Sequence, residues 1–111
     1  EIDYYRVPVN DPGPTTDPDQ EDNVIMMKHL PHVLMFIRTA QKPILIHCHA
    51  GRIRSASILL CFLIRDVFTL GDKKQRLKDS VKTIVSNRPC AFHFGAVSSF
   101  KPAISIYINH L

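Results

Sequence analysis

Cysteine is scarce in this 111-residue sequence, and its spacing pairs none of it. Cys48, Cys61 and Cys90 are an odd number and form no C-x-x-C motif. That speaks against a disulfide framework and favours a reducing compartment, the cytoplasm or the nucleus. Long apolar runs are lacking too. The longest, residues 58–64, stops at Arg65 and Asp66. A bilayer span needs about 20 apolar residues, so no transmembrane segment is expected and the run reads as a buried helix face. The opening Glu1-Ile2-Asp3 is acidic, unlike the basic start of a secretory signal. There is no internal repeat or low-complexity tract. His29, His32, His93 and His110 have no spacing that suggests a metal site.

What is present suits one small folded domain over residues 1–111, with 45% hydrophobic residues and a net charge of +4. The positive balance favours polyanionic partners without choosing among them. Residues 4–9 (Tyr-Tyr-Arg-Val-Pro-Val) are strand formers, with Pro8 marking an edge or an end. Residues 10–19 carry three prolines, a glycine and several acids, the composition of a loop. Val24, Met27, Leu30, Leu34 and Ile37 recur at helical spacing, with Pro31 predicting a kink or a restart. Residues 44–46 (Ile-Leu-Ile) read as a short buried central strand. Helices are expected over about residues 55–68 and 72–86, the second with Leu77, Val81, Ile84 and Val85 on one face. The tail from residue 94 to 110 reads as helical, bent or broken at Pro102.

The chemistry concentrates in residues 47–55: His47-Cys48-His49-Ala50-Gly51-Arg52-Ile53-Arg54-Ser55. A loop that enters a helix N-terminus aims backbone N–H groups at one spot, and the helix dipole adds positive potential there. Such a cradle fits a phosphate dianion. Cys48 opens the loop, where amide dipoles favour thiolate over thiol and make an in-line nucleophile. Arg54 closes it with a planar fork suited to two phosphate oxygens. Gly51 allows a backbone shape that other residues resist. Ser55 is placed to donate to the sulfur when it leaves. His49 and Arg52 add basic groups at the loop rim.

The His-Cys-x-x-Gly-x-x-Arg-Ser run resembles the signature of the cysteine-dependent protein tyrosine phosphatase superfamily, in particular its dual-specificity branch. The resemblance implies an α/β fold: a small central mixed sheet with helices on both faces, and the signature loop between a buried strand and a helix. It implies a phosphocysteine at Cys48, phosphate binding by Arg54 and by the loop residues His49, Ala50, Gly51, Arg52, Ile53 and Ser55, and a supporting role for His47 behind the loop. It implies no cofactor. It also implies a general-acid aspartate just after the first strand, which is Asp11, with Asp17 as the rival on spacing. The expected activity is hydrolysis of phosphotyrosine and phosphoserine or phosphothreonine in proteins.

Three departures and two alternatives accompany this reading. Ile53 is bulkier than the small residue usual before the arginine, and Pro31 interrupts the preceding helix. Family domains carry a strand–helix–strand portion ahead of the position of Tyr4, so this chain is either a reduced version or lacks an N-terminal part. A reduced sheet would expose an edge that invites a partner or a dimer. His49 and Arg52 are similar to the basic loop positions of members that act on phosphoinositides or other phosphorylated lipids, which is the first alternative substrate class. A phosphate-binding module with weak turnover is the second. No specific nucleic-acid recognition is expected. Other C-x5-R enzymes, the low-molecular-weight phosphatases and arsenate reductases, place the acid after the loop, and here the acidic loop comes first.

Overall fold

The computed structural model describes residues 3–41, 43–48, 53–89, 91 and 99–111. The apolar periodicity that starts at Val24 belongs to a helix with an earlier beginning, α1 (Glu21–Thr39). Gln20 makes that start possible: its Oε1 accepts the Asn23 backbone N–H at 2.9 Å. Glu21 and Asp22 in the first turn and Arg38 in the last match the helix dipole. The helix runs through Pro31 without restarting. Pro31 lies on the exposed face, where water can take the carbonyl that its missing N–H leaves over.

α2 (Arg54–Phe62) follows the signature loop and continues into a π-helical turn, Leu63–Val67. Arg76 closes that turn by donating to the carbonyls of Ile64 and Phe68. Arg76 belongs to the basic run that reads in sequence as a wet helix face, but here it caps a neighbouring element. Gly71, with φ +90°, turns the chain, and Asp72 then caps α3 (Lys73–Asn87) by accepting from Gln75 N at 2.8 Å. α4 (Lys101–Asn109) carries Pro102 at its start, where the absent N–H costs nothing, instead of in its interior.

α2 is the centre of the assembly. It packs against α1, α3 and α4, and α1 also packs against α4. Met26, Leu30 and Leu34 of α1, Leu60, Cys61 and Ile64 after the loop, and Phe100, Ala103 and Ile104 of the tail are all buried. The seven-residue apolar run is therefore the core, as its length implies. No helix among the described residues is long and apolar enough to cross a membrane.

The expected central mixed sheet is absent: the described residues contain four α-helices and a π-helical turn but no strand. The α/β expectation is corrected on that point, and with it the helices on both faces, the buried strand before the loop and the sheet edge offered to a partner. The reason is pairing. A strand exists only through ladder hydrogen bonds to a neighbour, and strand-forming composition does not supply one. No backbone hydrogen bond joins residues 4–9 to residues 44–46. The Val9 N–H is instead turned back onto the Val7 carbonyl at 2.9 Å, and Pro8 has no N–H to offer. Leu45 is 81% exposed, so the Ile-Leu-Ile run is not buried either. Residues 4–9 lie along α1. The Tyr5 hydroxyl is 3.0 Å from His29 Nδ1, and its ring packs on His29 and Phe36.

One polar residue joins the first helix to the last. Asn23 is fully buried. Its Nδ2 donates to Ser99 O and Gln20 Oε1, both at 3.0 Å, and its Oδ1 accepts from Ala103 N at 3.1 Å. It thus serves α4 as a cap supplied from another helix. Asn23→Ala leaves a buried N–H and a buried carbonyl unpaired. A loss of about 2–4 kcal/mol is expected, measured as a lower urea midpoint with an unchanged slope.

Candidate active site

Cys48 sits at the end of an irregular segment and is half-buried. Its sulfur lies 3.3 Å from Ser55 Oγ, and the Ser55 backbone N–H donates to it at 3.5 Å. Ser55 is in the first turn of α2, where backbone N–H groups have no partner inside the helix. One of those orphan donors is thus aimed at the sulfur together with a hydroxyl, an arrangement that stabilises a thiolate.

The start of α2 is held by Ile53 from below. Ile53 is 5% exposed, and its carbonyl takes both the Ser57 N–H at 2.8 Å and the Ser57 hydroxyl at 2.6 Å. The bulk that looks out of place in the sequence is spent in the core. Arg54 is partly buried and meets the N-terminal segment, with Nη1 donating to the Val9 carbonyl at 3.4 Å. His49, Ala50, Gly51 and Arg52, expected to line the phosphate cradle, lie outside the described residues. His47 is exposed, where a packed position behind the loop was expected.

A family model described as the dual specificity phosphatase catalytic domain matches residues 1–94. The chain belongs to that family. It is therefore a phosphatase domain of the cysteine-dependent class, whose substrates are phosphorylated. Neither a curated protein nor a solved structure matches the chain. The matched region ends before α4, so the helix that Asn23 caps belongs to the part of the chain that follows it.

In this phosphatase the two candidate acids stand in different settings. Asp11 is exposed, and its Oδ1 accepts from the Gly13 N–H at 2.9 Å. Gly13 has φ +80°, a conformation that other residues resist. Asp11 lies two residues beyond Val9, whose carbonyl Arg54 holds. Asp17 also makes a local turn, accepting from Asp19 N at 2.9 Å. Its neighbours Thr16 and Pro18 line a shallow groove with Lys101, Pro102, Ser105 and Ile106 of α4. The Asp11 end of the loop is thus tied to the arginine, and the Asp17 end lies against the last helix. Asp22 was not singled out in the sequence. It accepts the Asn10 N–H at 2.9 Å, immediately before Asp11. An acid in the first turn of a helix reads as a dipole partner, and nothing in its spacing discloses a bond to a loop twelve residues away.

Cys61 contrasts with Cys48. It is fully buried in α2, and burial pushes its thiol up to about 12. Cys90 lies outside the described residues. A haloacetamide at pH 7–8 is expected to modify Cys48 in the native protein and spare Cys61, read by peptide mass spectrometry. Because the folded protein holds the Cys61 proton more tightly than the unfolded chain, its contribution to stability is complete below the ordinary thiol value of 9.0 and is lost as pH rises toward about 12. Cys61→Ala should remove that alkaline loss from a stability–pH curve.

Proposed function

We propose that the protein is a dual-specificity protein phosphatase that hydrolyses phosphotyrosine and phosphoserine or phosphothreonine through a cysteinyl phosphate on Cys48. The observation that carries this reading is the pair of Ser55 contacts on the Cys48 sulfur at the N-terminus of α2. In the first step the Cys48 thiolate attacks phosphorus, the bond to the leaving oxygen breaks, and Asp11 gives that oxygen its proton. In the second, water attacks the phosphocysteine, the Asp11 carboxylate takes the water proton, and the sulfur leaves as thiolate toward Ser55. Arg54 binds two phosphate oxygens throughout and follows them as charge shifts. The arginine contact at Val9 supports Asp11 over Asp17, since it ties the backbone next to Asp11 to the residue that holds phosphate.

The basic His49 and Arg52 favour a second substrate class, a phosphoinositide or other phosphorylated lipid, whose extra negative charge they would meet. A panel of phosphopeptides and soluble phosphoinositides at matched concentration separates the two. Faster turnover of phosphopeptides is the expected result, and preference for inositol phosphates replaces it with the lipid reading.

Release of phosphate from an aryl phosphate, with a chelator present, is expected for the wild type and lost in Cys48→Ser. A serine variant that keeps more than a trace of turnover would overturn the mechanism, and binding of phosphate without turnover in the wild type would mark a binding module. Arg54→Lys should also cripple the enzyme, because an ammonium cannot make the forked contact. Asp11→Asn is expected to slow substrates with poor leaving groups by about 10²–10⁴-fold; if Asp17→Asn does so instead, Asp17 is the acid.

A further inference from the structure

We infer that Asp22 is a positioning residue for the reaction, holding the general-acid loop to the start of α1 so that Asp11 stands over the leaving oxygen. The inference rests on the reading of Asp11 as the acid and adds the residue that places it.

Three consecutive residues carry the argument. The Val9 carbonyl accepts from Arg54 Nη1 at 3.4 Å. The Asn10 N–H donates to Asp22 Oδ1 at 2.9 Å. The Asp11 carboxylate accepts from the Gly13 N–H at 2.9 Å. The first of these bonds ties the segment to the phosphate-binding arginine, the second to α1, and the third folds the loop back beneath the acid. Val9 is buried, whereas Asn10 and Asp11 are exposed. The core therefore fixes the chain only as far as Val9, and the next anchor along it is the bond to Asp22.

Asp22 is itself held. Its second oxygen accepts from Gln20 Nε2 at 3.1 Å, and the same Gln20 caps α1 through the Asn23 N–H. The carboxylate also sits in the first turn of α1, the end of a helix that attracts negative charge. A charged acceptor on a helix is a firmer post than a loop residue. An acid displaced by about 1 Å from the leaving oxygen costs on the order of 10²-fold in rate, and that cost falls on substrates that need the proton. Activated aryl phosphates, whose leaving oxygen departs without protonation, are spared.

The test compares two substrates, an aryl phosphate with a strongly acidic leaving phenol and one with an unactivated phenol, in the wild type, Asp11→Asn, Asp22→Ala and Asp22→Asn. The ratio of the two kcat values is the readout, because it does not depend on how much of a variant is folded. Asp22→Ala is expected to shift the ratio against the poor leaving group by about 10–100-fold, with KM little changed. Asp22→Asn, which keeps an oxygen for the Asn10 N–H, should restore most of it. An unchanged ratio in Asp22→Ala alongside a shifted ratio in Asp11→Asn overturns the role of Asp22 alone. An unchanged ratio in Asp11→Asn overturns the acid assignment, and the role of Asp22 with it. A ratio that Asp22→Asn fails to restore shows that the bond to Asn10 is not what places the acid, and overturns the inference as well.

Discussion

Ser55 brings a backbone N–H and a hydroxyl to the sulfur of Cys48, and it can do so only because α2 begins at Arg54. Its described neighbours on either side hold that register. Ile53 is sunk in the core, and its carbonyl is occupied twice by Ser57, so the first turn cannot slide. The apolar stretch that follows lies against three other helices, which fixes the direction in which the turn points. A shift of one residue would bury Arg54 and withdraw Ser55 from the sulfur. The placement of the candidate nucleophile is thus decided by the packing of a helix whose own residues are mostly apolar.

Arg54 links this register to the far side of the site. Its contact with Val9 binds the residue that opens α2 to the segment that delivers the candidate acid, across 45 residues of chain. α1 holds the other side of the same segment through His29, which meets the Tyr5 hydroxyl, and through Asp22. Residues 4–11 are therefore positioned by side chains from two helices. In a sheet the backbone ladder would do this work. Here individual side-chain bonds do it, each removable by a single substitution.

The helices were legible because each carries its own punctuation. Asp72 before Lys73, Asn87-Arg88-Pro89 at the end of α3 and the apolar spacing of α1 are local signals, and local signals survive without knowledge of the fold. Pro31 stands inside a continuous α1 on its exposed face, and Pro102 in the first turn of α4, where its missing N–H has no helical partner to lose. The strands failed for a physical reason: composition marks residues 4–9 and 44–46 as able to pair, but pairing needs a neighbour at the right distance. Asn23 and Arg76 carry no sign of their roles in the sequence, because their partners, Ser99, Ala103, Ile64 and Phe68, are identified only when the helices are brought together.

Read alone, the sequence shows the family, since cysteine, glycine, arginine and serine at that spacing before an apolar helix carry its signature within nine residues. It also determined which helices form, because capping and periodicity act over a few residues. Only in the assembled fold do residues 4–9 lie along α1 without a ladder, does Ile53 become a core anchor, is one end of the acidic loop tied to Arg54 while the other lies against α4, and does Asp22 grip the backbone beside Asp11. Those are contacts between residues far apart in the chain or turned toward different neighbours. Nothing in the local propensity of either partner specifies them, so they exist only once the core has set the distance between them.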